Sequence, residues 1–256
     1  MNMKLKSYNI LFTLLLISAF SASISAQIQD KKPLDLSFLL GFNIGGTAPL
    51  PLPAEVRKIE SYNPKFNPQL GFNVIYSLDD RWGIGAGATL DWKGMRVRDE
   101  VKYMKTSVVL TEDGSRLSGY FVGKNMTNVD MTYLTIPIYG TYNFNNRWQV
   151  RLGIYAARTL SSKFNGRVYD GYMRIDTPVG QRQEIDGEGA TFDFSDDTRD
   201  YDFGLLGGGE FRLTNRVGIY GSLTWGLVPY FYSGTNPIEF KMHNIYGTIG
   251  ITYRLK

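Results

Sequence analysis

An all-β fold, an eight-stranded antiparallel up-and-down transmembrane β-barrel, is predicted by three features of this 256-residue chain. Runs that alternate apolar and polar residues are as long as the 9–11 residues a tilted strand needs to cross a bilayer. Short turns of nearly the same wording recur between those runs. An export leader precedes the whole pattern.

The turns are Asp79-Asp80-Arg81-Trp82, Asn145-Asn146-Arg147-Trp148 and Thr214-Asn215-Arg216-Val217, beginning 66 and 69 residues apart. Asp and Asn tolerate the left-handed backbone of tight turns, so each quartet reads as a hairpin connection. Tight turns at one end and long segments at the other are the asymmetry of bacterial outer-membrane barrels.

At the amino terminus, Lys4 and Lys6 precede an apolar run from Ile10 to Ile17. The small residues Ser21, Ala22, Ser23, Ser25 and Ala26 follow, and polarity returns at Gln27. This succession predicts a signal peptide over residues 1–26, cut after Ala26, with residues 27–256 as one barrel domain. Its apolar core is too short to span a bilayer, and no Cys follows to take a lipid.

Without Lys4 and Lys6 the chain carries 26 basic and 24 acidic residues, a formal charge of +2. That balance, with no aromatic-basic motif, argues against nucleic acid. Zero Cys excludes disulfides and a Cys-based zinc site. No later apolar run is long enough for a membrane helix, so any span must be a closed sheet.

The first strand is predicted over about Leu34 to Ile44, with Leu36, Phe38, Leu40, Phe42 and Ile44 facing away from Asp35, Ser37, Gly41 and Asn43. A second, about Phe66 to Leu78, presents Leu70, Phe72, Val74 and Tyr76. Across the first turn, Trp82, Ile84, Ala86, Ala88, Leu90 and Trp92 oppose Gly83, Gly85, Gly87, Thr89, Asp91 and Lys93. About Met131 to Phe144 sets Leu134, Ile136, Ile138 and Tyr142 against Tyr133, Thr135, Tyr139 and Thr141. Its turn leads to Trp148, Val150, Leu152 and Ile154 against Gln149, Arg151, Gly153 and Tyr155. Three more strands, about Tyr201 to Leu213, Val217 to Leu227 and Met242 to Leu255, repeat the alternation.

A soluble β-sandwich also alternates, but its polar face meets water. Here that face is crowded with Tyr and Gly and has few charges per strand, while Trp82, Trp148 and Trp225 fall towards strand ends, where interfacial rings belong. An even strand count puts both mature termini on the side of the turns, the periplasm. The extracellular segments are then expected as loops over about 45–65, 98–130, 161–200 and 229–241, the first containing a short surface helix over Ala54–Ile59 after Pro49, Pro51 and Pro53.

Four features together resemble the PorT-like outer-membrane β-barrel family. They are Ser25-Ala26-Gln27, the strand Tyr133-Leu134-Thr135-Ile136-Pro137-Ile138, the Arg-Trp turns and the terminal strand. The resemblance covers nearly all of the mature chain and implies a small Gram-negative outer-membrane barrel; some relatives are linked to protein secretion. Gly250, Tyr253 and Leu255 also resemble the carboxy-terminal signal read by the barrel assembly machinery, although Lys256 departs from the frequent aromatic ending. The implied partners are outer-membrane lipid and that machinery.

Eight strands enclose just enough room for side chains or one small ligand. Inward Tyr133, Tyr139, Tyr155, Tyr220 and Tyr246 are expected to fill the space left by Gly83, Gly85, Gly87, Gly204 and Gly208. The lumen candidates Asp91, Lys93, Arg151, Asp202, Glu210, Arg212 and Arg254 are expected to pair as a plug rather than to line a path. The single His243, with Ser233 and Glu239 nearby in sequence, is the weak basis for a lipid A-modifying enzyme. Asp193, Asp196, Asp197, Asp200 and Asp202 fit no calcium loop and read as a solvated rim rather than a cation site. Phe121, Phe192, Phe194, Tyr230, Phe231 and Tyr232 are expected as partner-facing loop rings or, for the last three, as part of an aromatic girdle. The expectation is a non-enzymatic outer-membrane protein without catalytic residues, cofactor or metal, in a structural, binding or secretion-accessory role. A narrow channel or transporter for small solutes is the second reading.

Arg at Ile249 or Leu223 places a cation on the lipid side at a cost of about 2–4 kcal/mol near the midplane. Folding into lipid vesicles should fail or slow for these variants, whereas replacing inward Thr248 or Ser222 should matter less; equal tolerance at both parities would remove the barrel assignment.

Overall fold

The computed structural model describes residues 34–112, 114–185, 189–232 and 240–255, so the expected leader, Ser233, Glu239 and Lys256 lie outside the described residues. Eleven strands occur among them. They are β1 (Leu34–Pro49), β2 (Val56–Pro64), β3 (Pro68–Ser77), β4 (Trp82–Leu110), β5 (Arg116–Asn143), β6 (Trp148–Ile175), β7 (Arg182–Ile185), β8 (Ala190–Asp193), β9 (Tyr201–Arg212), β10 (Val217–Gly226) and β11 (Met242–Arg254). Eight of them form a closed antiparallel ring in the order β1-β3-β4-β5-β6-β9-β10-β11, and β11 returns to β1 from Ser37↔Arg254 to Pro49↔Met242. From Ser37 to Phe42, where β1 pairs on both sides, closure leaves no strand edge.

Alternation fixes which face each side chain takes. Phe38, Leu40, Phe72, Ile84, Ile136, Leu152, Leu223 and Ile249 are exposed on the outer wall, whereas Asn43, Thr89, Asp91, Tyr133, Gln149, Arg151 and Thr248 are buried inside. Leu39, Ile75 and Leu206 also point inward and are buried, apolar exceptions to a polar inner face.

The three repeated turns close by the same side-chain device. Asp79 Oδ1 accepts from the N–H of Arg81 and of Trp82, both at 2.7 Å; Asn145 Oδ1 accepts from Arg147 at 2.8 Å and Trp148 at 2.9 Å; Thr214 Oγ1 accepts from Arg216 at 3.2 Å and Val217 at 2.9 Å. None of these residues has a left-handed φ, so the expected reason for Asp and Asn is corrected: what matters is a short side-chain oxygen, which Thr also supplies. The carbonyls of Arg81, Arg147 and Arg216 accept from the N–H of Asn143, Arg212 and Arg254 at 2.7–2.8 Å, so each turn is tied to the next hairpin.

The other end departs from expectation. Three of the segments expected as long loops, 45–65, 98–130 and 161–200, are largely strand, and most of 229–241 lies outside the described residues: β4, β5 and β6 run 29, 28 and 28 residues, well beyond the length a crossing needs. Residues 54–59 are not a helix either. β2 lies along the extension of β4, from Val56↔Val101 to Pro64↔Met95, and β-branched Val56 and Ile59 suit that ladder. β7 pairs β6, while β8 bridges β6 and β4, so the extensions curl into a second, smaller enclosure. Its interior is apolar, with Val101, Met104, Val108, Phe121, Val129, Phe164, Val168 and Met173 all buried.

A row of irregularities bends this extension. The β4–β5 register shifts between Lys102 and Met104, where Tyr103 has φ 59°, and the β5–β6 register shifts between Val122 and Lys124, opposite Asp170 at φ 50°. Bulges increase local twist, and three strands share this one. Gly123, at φ 151°, lies so close to β6 that a Cβ there would sit 2.7 Å from the Gly171 Cα. Gly123→Val should therefore open the extension and leave the ring intact. Limited proteolysis should cut β4–β6 near the bend while the barrel core stays resistant; unchanged resistance of the extension would contradict this.

Candidate functional site

The ring gathers its charged residues on its inner wall in successive groups. Near the turns, Arg254 bridges Asp35 (Nε to Oδ2, 3.1 Å) and Glu210 (Nη2 to Oε1, 2.9 Å), and Arg151 Nη2 reaches Glu210 Oε2 at 3.2 Å. The Arg151 guanidinium also stands over the Tyr139 and Tyr220 rings, 5.5 and 5.6 Å from their centroids. Arg212 Nη2 donates to Asn143 Oδ1 at 3.0 Å. In the middle, Asp91 accepts from Gln69 Nε2 at 2.5 Å and Thr89 Oγ1 at 2.8 Å, while Tyr220 donates to Gln69 Oε1 at 2.5 Å. Lys93 is buried among the rings of Tyr133, Tyr155 and Tyr246, at 5.4, 5.8 and 5.1 Å. Asp202 accepts from the Tyr155 hydroxyl at 2.9 Å and Asn244 Nδ2 at 3.0 Å.

All seven lumen candidates thus lie on the inner wall, and their partners explain how charges survive burial: each is paired, hydrogen-bonded or set against aromatic faces. The residual cavity between Asp91, Lys93, Tyr139, Arg151 and Tyr220 is about 40 Å³, room for about one water molecule. Rings complement glycines here. A Cβ on Gly85 would stand 2.3 Å from Tyr139 Cε2, and one on Gly41 would meet the Tyr220 hydroxyl at the same distance.

At the extension end the wall forks. β1 beyond Phe42 pairs with β11 alone, because β3 begins at Pro68, and the chain beside it swings out as β2. Asn67 pins the fork: its Nδ2 donates to Asn43 O at 3.2 Å and Gly94 O at 2.8 Å. Tyr62 bridges back from β2, donating to Gly45 O at 2.7 Å and accepting from Gly45 N–H at 3.1 Å. Between β1, β2 and the curled extension lies a second cavity of about 520 Å³, walled by Met95, Val97, Met104, Phe164, Phe192 and Ile245 and containing Asp99 and Asn125. Alternation would have flagged Asp99, since Met95, Val97, Asp99 and Val101 continue the inward parity of Asp91 and Lys93.

The remaining sequence candidates disperse. The His243 ring Nδ1 lies 3.0 Å from Gly226 O. Asp193 Oδ1 accepts from Ser195 N–H and Oγ, and Asp200 faces Arg158 at 3.5 Å, so with Asp202 in the lumen the five carboxylates do not converge. Among the described residues no group of three or more His, Asp or Glu is placed to hold a metal ion. Phe121, Phe192, Phe194, Tyr230 and Phe231 are neither partner-facing nor girdle rings. They are buried, the last four around Phe164 at centroid distances of 4.9–6.4 Å, because the curled extension has an apolar interior to fill. Tyr232, half-buried, has the Arg199 guanidinium 5.1 Å from its ring centroid.

Burial pushes the Asp99 carboxyl from 3.8 to about 6; the nearby Glu60 charge adds to this, while the hydrogen bond from Asn125 Nδ2 at 2.9 Å opposes it. A carboxyl whose folded pKa is raised contributes stability below pH 4 that is lost as pH rises through about 6, here on the order of 3 kcal/mol. Asp99→Asn should therefore raise the urea midpoint of the lipid-embedded protein at pH 7.5 and leave it unchanged near pH 3.5. A lowered midpoint at pH 7.5 would contradict the burial cost.

None of the curated proteins compared matches the chain. Among solved structures, the chain is similar to Ail, the attachment invasion locus protein of Yersinia pestis, at 11% identity over 88% of this chain and 100% of that one, with a TM-score of 0.37. It is also similar to OprG from Pseudomonas aeruginosa, at 13% identity over 90% and 99%, with a TM-score of 0.36. Both likenesses are too loose to carry an argument. The profile of one family, the outer membrane protein beta-barrel domain, matches residues 25–232, most of the chain. The closed ring of eight strands, apolar outside and polar inside, belongs to a protein of the outer membrane protein beta-barrel domain family.

Proposed function

We propose that the mature chain crosses the outer membrane as an eight-stranded up-and-down barrel, that it is not an enzyme, and that it works through the β-structure beyond the membrane. In this reading the lumen is a scaffold and the protein's role is structural, binding or secretion-accessory. The PorT-like resemblance supports the last of these. The termini and three tight turns face the periplasm, and the extensions of β4, β5 and β6 face the exterior. Gly250, Tyr253 and Leu255, in and just beyond β11, serve as the signal for the barrel assembly machinery, and outer-membrane lipid covers the exposed apolar wall.

The observation that carries this reading is the filled lumen. Lys93 sits among three tyrosines, Arg151 and Arg254 converge on Glu210, and about 40 Å³ remains open in the middle. A continuous path for solutes would have to break those pairs, leaving charges buried and unpaired.

Purified protein in planar bilayers should show no steady large conductance. Tyr139→Ala with Tyr220→Ala removes the two rings against Arg151 and should admit water and small ions. A stable high-conductance pore in the unmutated protein would defeat this reading and promote a narrow transporter, with Arg151 and Arg212 setting selectivity.

A further inference from the structure

The cavity at the fork has the makings of a ligand site that the filled lumen lacks. Its volume of about 520 Å³ lies within the range of small-molecule pockets, and its lining is mainly apolar. Among the described residues, Asp99 is the only Asp, Glu, Lys, Arg or His on that lining. Beside it, Asn125 is 5% exposed and uses its Nδ2 on Asp99 Oδ1 at 2.9 Å and on Thr127 Oγ1 at 3.1 Å. Its Oδ1 is buried without a hydrogen-bond partner. A buried acceptor left unsatisfied costs free energy, and such groups are ordinarily paired. The wall thus offers one carboxylate, Asp99, at the edge of an apolar chamber, while the Asn125 amide oxygen is closed off from it.

We propose that this cavity binds a small apolar molecule bearing a protonated amine, with the ammonium held by Asp99 and the apolar body among Met95, Val97, Met104 and Phe164. An ammonium donates to the Asp99 carboxylate and offsets its negative charge, which a hydroxyl does only in part and a carboxylate opposes. The burial that raises the Asp99 carboxyl supports the same site, because a cation beside it would restore the charged form. Access runs through the fork, where β1 beyond Phe42 has β11 as its only strand partner among the described residues and Tyr62 spans the gap.

The test uses the full mature protein in lipid nanodiscs at pH 7.5, with empty nanodiscs subtracted, titrated calorimetrically with decylamine, decanol and decanoate. Decylamine should bind saturably at one per chain and at least tenfold more tightly than decanol, with no saturable binding of decanoate. Asp99→Asn should bring decylamine to the level of decanol, and Val97→Trp, which fills the chamber from its wall, should remove binding of both. Equal binding of amine and carboxylate, heat no greater than that of empty nanodiscs, or decylamine affinity unchanged in both variants would each overturn the proposal. A conducting barrel would defeat the reading of the lumen and leave this result untouched, so the two failures are distinguishable.

Discussion

On the outward face of β4, Ile84, Leu90 and Trp92 are followed at the same parity by Arg96, Arg98 and Glu100; on the inward face, Thr89, Asp91 and Lys93 are followed by Met95, Val97 and Val101, with Asp99 the polar exception. Polarity therefore reverses on both faces at one level of one strand, between Trp92 and Met95. β5 and β6 reverse near the same level on their inner faces, where Tyr133 gives way to Met131 and Val129, and Tyr155 to Phe164 and Val168. The cause is the medium outside. Lipid tolerates apolar side chains and leaves the polar ones to face inward, whereas water demands a polar exterior and drives the apolar residues into a core.

That reversal organises the rest. Below it, a polar interior must satisfy its own charges, which is why Glu210 holds two arginines and Lys93 lies among tyrosine faces. Above it, three strands with an apolar inner face cannot stand open in water. They curl at the bulges by Tyr103 and Gly123 until β8 bridges β4 and β6 over Phe164. The fork between β1 and β2 lies where the two regimes meet, so the cavity there has apolar walls from one side and polar residues such as Asp99 and Asn125 within it.

The ring was largely legible from alternation, because each crossing strand shows lipid one face and a distinct chemistry to the lumen, and the strand ends at Asn143, Arg212 and Arg254 fall within one or two residues of expectation. The extensions were not. A reading that follows greasy residues on the outward parity stops at Trp92, since Arg96, Arg98 and Glu100 look like a loop; yet the period of two continues on the other parity through Val101. Phe164 and Phe121 were hidden for the same reason, as the aromatic core they join is built by pairing between distant segments. The turns were placed correctly, but through a different device: the side-chain oxygens of Asp79, Asn145 and Thr214 close them with ordinary backbone dihedrals.

The polarity reversal can be measured directly because the chain has no Cys. Single nitroxide labels at Ala86→Cys and Ile136→Cys, on the outer wall below the reversal, and at Arg98→Cys and Glu100→Cys above it, report their medium through relaxation by oxygen and by an aqueous nickel chelate. In nanodiscs the first two should be relaxed mainly by oxygen and the last two mainly by nickel, with the change falling between Trp92 and Arg96. Oxygen-dominated relaxation at Arg98 and Glu100, or nickel-dominated relaxation at Ala86 and Ile136, would contradict a membrane boundary at that level.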